Sequence, residues 1–72
     1  MTIIEKINAE QNKRNIFTNV SLDDLKAICL SIDAMNYHGW KREKATEIVI
    51  NKYINGQYWR NDDLVYNYLM HK

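Results

Sequence analysis

Apolar residues in this chain of 72 residues recur at steps of three and four over most of its length, the spacing that stacks side chains on one face of a 3.6-residue helix. The clearest run is Leu22, Leu25, Ile28, Cys29, Ile32 and Met35. Ser21 precedes it with Asp24 three residues on, so the hydroxyl can accept from an orphan amide while the carboxylate lies near the positive helix end. A second stripe, Ala45, Ile48, Val49, Lys52 and Tyr53, is followed by Gly56, where a left-handed residue would close a helix. The turn Asn36-Tyr37-His38-Gly39-Trp40 lies between them. Residues 21–54 are therefore expected to form a helical hairpin on which the rest of the chain packs.

Thr2 and Glu5 have capping-box spacing, and Ile3, Ile4 and Ile7 share a face, which predicts a first helix from Ile3 to about Arg14. Its second half is polar and is expected to be solvated. Ile16, Phe17 and Val20 are expected to tuck into the core from a linker. Beyond Gly56, an aromatic connection leads to Asn61, Asp62 and Asp63, a cap with acidic first-turn residues that opens a last helix. Leu64, Val65, Tyr68 and Leu69 fall on one side of it, with Tyr66 and Met70 displaced toward another. The pattern predicts a single all-α domain spanning residues 1–72, a compact bundle of three to four short helices.

Composition narrows the class. Proline is absent and charged residues make up 26%, which fits tightly connected helices and argues against both a disordered tail and a membrane protein. No apolar run approaches a membrane span, and the N-terminus lacks the basic-then-apolar order of a secretory leader. A cytoplasmic location with no membrane contact is the expectation. Asn, Ile, Lys and Tyr are abundant, as in chains encoded by A/T-rich genomes such as those of many phages.

Little in the sequence points to catalysis. One cysteine cannot form an internal disulfide, and two distant histidines give no metal spacing. Cys29 lies on an apolar stripe and is expected to be a buried thiol. Asp23-Asp24 and Asp62-Asp63 fall in first turns, where adjacent side chains point about 100° apart and do not converge on one atom. Gly39 and Gly56 stand alone, so no phosphate-cradling loop is present. No catalytic residue, metal ligand or cofactor site is assigned, and the chain is expected not to be an enzyme.

Its apolar inventory points elsewhere. Ala27, Leu30 and Ala34 add a second row to the second helix, and Ile50 and Ile54 do the same on the third. A small monomer has limited capacity to bury such a surplus, and leftover apolar surface marks contacts with other proteins. The expected function is a small regulatory or inhibitory module, phage-encoded in character, that occupies a protein partner or forms a homodimer. The surface assigned to this is Tyr58, Trp59, Tyr66, Met70, Ile50 and Ile54.

The alternative is a DNA- or RNA-binding regulator. Residues 41–54 carry four basic and two acidic side chains, and His38, Trp40, Lys41, Arg42 and Lys44 could combine phosphate contacts with base stacking. Against this, Trp40 is expected to turn inward as a staple. The overall net charge of +1 is also far below the basic balance typical of nucleic-acid binders. Ser21-Leu22-Asp23-Asp24-Leu25-Lys26 and Lys44-Ala45-Thr46-Glu47-Ile48-Val49 resemble the two helices of the helix–extended loop–helix modules in the SAP and Rho N-terminal families. That resemblance covers fewer than half the residues, and it implies a nucleic-acid-binding hairpin.

Overall fold

A computed structural model of the protein describes residues 2–71. These form four helices: α1 (Ile3–Lys13), α2 (Leu22–Tyr37), α3 (Arg42–Ile54) and α4 (Asp62–His71). The all-α architecture matches the expectation.

Each boundary has a local cause. The Glu5 amide donates to Thr2 Oγ1 at 3.3 Å while the Thr2 amide reaches Glu5 Oε1 at 3.5 Å, so two orphan donors of α1 are satisfied reciprocally. Ser21 Oγ accepts from the Asp24 amide at 3.1 Å at the start of α2. The first three helices end alike, with paired six-to-one and five-to-two backbone bonds around a left-handed residue. Ile16 N–H donates to the Gln11 carbonyl, Trp40 N–H to that of Met35, and Gln57 N–H to that of Lys52. The left-handed positions are Asn15 (φ 55°), Gly39 (φ 104°) and Gly56 (φ 71°). Asparagine tolerates this region better than most non-glycine residues, which is how α1 stops without a glycine.

The hairpin is antiparallel. Arg42 at the start of α3 pairs with Asp33 near the end of α2 at 2.9 Å, and Tyr53 near the end of α3 donates to Asp24 near the start of α2 at 3.2 Å. Asn36 Nδ2 donates to the Trp40 carbonyl at 3.0 Å and braces the turn. α1 packs on α3 and α4 on α2. Arg14 reaches Asn51 at 3.3 Å, so the C-terminal ends of α1 and α3 lie together. Arg60 lies 3.8 Å from Asp24, and the Tyr68 and Tyr37 rings meet at 5.4 Å, so α4 runs parallel to α2.

The core is Ile7, Ile28, Ile32, Met35, Ala45, Val49 and Ile50, with Ile3, Val20, Leu25, Ile48, Tyr53, Ile54, Trp59 and Leu64 packed around it. Burying one such aliphatic side chain stabilises by roughly 1.5–3 kcal/mol, so these few residues dominate the stability of the fold. Several expectations need correction. Phe17 is 78% exposed and Leu22 65%; both lie outside the packed region, Phe17 in the linker and Leu22 at the first position of α2. Cys29 is only half-buried because it stands at the edge of the α2 stripe. The polar half of α1 is not wholly solvated, since Gln11 is buried beside the core.

Candidate protein-binding surface

The apolar surplus read from the sequence divides into a part that the fold covers and a part that it leaves outside. On α2, Ala34 is fully buried, and Tyr37, one turn further along the same row, meets Tyr68 of α4. The second row of α2 is therefore the seat of α4. On α3, Ile50 is a core residue, 3% exposed, and Ile54 packs against the core. Neither offers a partner the free row expected of it. Trp59 is likewise half-buried, its ring edge-on to Tyr53 at 5.5 Å and covered by the Arg60 guanidinium at 5.0 Å.

Of the large side chains left outside, Phe17, Leu22, Tyr37 and Trp40 are spread over the linker and the hairpin, and the other four lie on α4 or just before it. Tyr58, Tyr66, Leu69 and Met70 are all exposed, Tyr58 by 71% and both Tyr66 and Met70 by 64%. Leu69 was expected on the packed side, but a 100° step per residue sets it at the margin of that side. Leu64, Val65 and Tyr68 face α2 and are half-buried; no described residue of α4 is fully buried. Asp62, Tyr66 and Met70 follow at intervals of four along the opposite ridge. Tyr58 extends the ridge at its N-terminal end, its hydroxyl donating to Asp62 Oδ2 at 2.8 Å. That bond to the carboxylate holds the phenol above its ordinary pKa.

Asp24 ties the segment before this helix to α2. It lies in the acidic first turn of α2, accepts from Tyr53, whose pKa is raised by burial and then by this carboxylate, and pairs with Arg60. First-turn capping chemistry was legible in the sequence. The latch from α2 to the α3–α4 connection was not, because Tyr53 and Arg60 are 29 and 36 residues away.

The basic turn is differently disposed. Trp40 is 46% exposed rather than turned inward, although its amide closes the end of α2 by donating to the Met35 carbonyl. His38 and Lys41 are also exposed. Lys41 stands at the N-cap of α3 with no side-chain capping bond. Arg42 is committed to Asp33, and Lys44 lies 4.0 Å from Glu47, so two of the three cations already face carboxylates. Residues 38–41 make a short turn rather than the extended loop of the modules that the hairpin resembles.

A groove of about 550 Å³ runs between α1 and α3 over Ala9 and Ile50, with Lys6, Glu10, Arg14 and Glu47 among its walls. Its charges largely answer one another. Lys13 and Arg14 both pair with Glu10, and the Lys13 hydrogen bond is the main reason this carboxyl titrates below its ordinary value. Among the described residues, no three His, Cys, Asp or Glu side chains cluster as metal ligands would, and no helix is long and apolar enough to cross a membrane.

Compared with protein-family models, with curated proteins and with solved structures, the chain has no significant match in any of the three.

Proposed function

We propose that this chain is a small, non-enzymatic cytoplasmic module that regulates or inhibits another protein by covering part of its surface with the outward face of α4. The observation that carries this reading is the placement of Tyr58, Tyr66, Leu69 and Met70, four large side chains left exposed on and beside one short helix, while Ile28, Ile32, Val49 and Ile50 of the hairpin are buried. Aromatic and methionine side chains at the centre of a contact supply much of the binding energy between proteins. The mechanism is steric and needs no reacting group.

The second reading, a DNA- or RNA-binding regulator using His38, Trp40, Lys41, Arg42 and Lys44, draws on the exposed Trp40 ring and the uncapped start of α3. Asp33 and Glu47 count against it, since they compete with phosphate for Arg42 and Lys44. A pull-down from host lysate with and without nuclease separates the two. A protein retained after nuclease and lost with Tyr66→Ala/Met70→Ala supports the α4 reading. Salt-sensitive nucleic acid retained by the wild type and lost when Lys41, Arg42 and Lys44 are all changed to Ala would replace it.

A further inference from the structure

We infer that Asn55 is a site of spontaneous covalent modification: as the end of α3 frays, the Gly56 nitrogen closes onto the Asn55 side-chain amide, and the asparagine is converted to aspartate or isoaspartate.

The chemistry needs only water. The Gly56 nitrogen bonds to Asn55 Cγ, the Cγ–Nδ2 bond breaks, and the Gly56 amide proton leaves with Nδ2 as ammonia. Water then adds to one carbonyl of the resulting succinimide and reopens the ring. Cleavage at Cγ gives aspartate. Cleavage at the main-chain carbonyl of the same residue gives isoaspartate, in which the chain runs through the former side chain and the backbone gains a methylene.

Sequence and exposure single out this asparagine. The chain has nine, and Asn55 alone is followed by glycine. Any other residue there would crowd the attacking nitrogen with a side chain, which glycine lacks. Both residues are exposed, and a Cβ on Gly56 would meet no packed atom within 4 Å, so neighbouring structure does not obstruct ring closure. By contrast, the side chains of Asn36 and Asn51 are tied to Trp40 and Arg14.

The folded backbone holds the reaction back. At Asn55 ψ is 0°, which sets the Gly56 nitrogen beside the amide nitrogen of Asn55 rather than over its side chain. Gly56 N–H donates to the Tyr53 carbonyl at 3.2 Å and Gln57 N–H to that of Lys52 at 2.9 Å. Ring closure takes a rotation about the Asn55 Cα–C bond, and that rotation breaks both bonds. Exposed helix ends open at lower free energy than core elements, so this terminus reaches the reactive geometry without global unfolding. Return is then blocked. The new carboxylate lies at the negative end of α3, and the added methylene of isoaspartate puts the Gly56 and Gln57 amides out of register with the helix carbonyls. Modification therefore loosens, in one direction only, the connection that runs from Tyr53 through Trp59 to α4.

The test incubates the full chain at neutral pH, folded and in urea, and locates the amide-to-acid mass change by tandem mass spectrometry. Asn55 should be modified ahead of the other asparagines. The folded chain should react more slowly than the chain in urea, by a factor that matches the hydrogen-exchange protection of the Gly56 and Gln57 amides and falls well short of that of Ile28 and Ile32 in the core. Gly56→Ala should slow the reaction severalfold in urea, where its effect on folding plays no part, and Asn55→Gln should abolish it at this site. Modified wild-type chain should show raised amide exchange at the end of α3 and in α4. An Asn55 that reacts in urea but not in the folded chain, or a folded rate no faster than global unfolding allows, overturns the inference. So does faster reaction at another asparagine, or a Gly56→Ala rate in urea equal to that of the wild type.

Discussion

α1 and α4 flank the same hairpin, one on α3 and the other on α2, yet they are attached by different means. α1 inserts Ile7, which has no exposed surface, and buries Gln11. α4 inserts nothing comparable: its inner side is half-buried, and Tyr66 and Met70 face outward. One flank completes the core, while the other is carried by it and presents its largest side chains to solvent. Apolar content alone does not distinguish the two roles; what separates them is which side of the helix meets the hairpin.

The largest expected effect breaks the α1 side of this contrast. Ile7→Ala should cost about 2–5 kcal/mol, the range for a large-to-small change in a closed core, and calorimetry or chemical denaturation should show it. In a domain of this size that is a large share of the total stability. Next comes the latch that ties the segment before α4 to α2. Asp24→Ala removes the acceptor for Tyr53, the partner of Arg60 and an acidic first-turn residue of α2. Each interaction is partly solvated, so the combined loss should be about 1 kcal/mol, and amide exchange should rise in α4 more than in α1.

A pH titration sharpens the same point. The Tyr53 pKa is raised above its ordinary value of 10.0 by burial and by Asp24. Folding therefore favours the protonated phenol; its contribution is full below about pH 10 and is lost as pH rises through the folded-state pKa. Stability of the wild type should fall through that window, and Tyr53→Phe should fall less. Cys29→Ser should have the smallest effect, under about 1 kcal/mol, because the thiol stands at the margin of the α2 stripe rather than inside the core.

Much of this fold was legible because its signals are local. Capping by Thr2 and Ser21, the stop at Gly56 and the stripe through Ile28, Ile32 and Met35 need only neighbours within one or two turns. Asn15 as a left-handed helix end was less visible, since asparagine is equally at home in a turn or on a polar face. Partition between core and surface was read less well. Ile50 and Ala34 resembled surplus only because the positions of α1 and α4 were unknown, and Phe17 and Leu22 resembled core for the same reason. Tyr58, Tyr66 and Met70 were identified as candidates by their bulk. Their joining with Asp62 into one ridge required knowing which side of α4 faces α2.

The central claim is that the outward side of α4 serves a partner rather than the fold. Changing Tyr66 and Met70 to alanine should leave the thermal melt close to that of the wild type, because substitutions at exposed positions usually shift stability by no more than about 0.5 kcal/mol. The decisive measurement is therefore capture of protein from nuclease-treated lysate by wild-type chain and by Tyr66→Ala/Met70→Ala of matched melting temperature. The account predicts a partner held by the wild type and lost by the double variant. A partner held equally by both would contradict it.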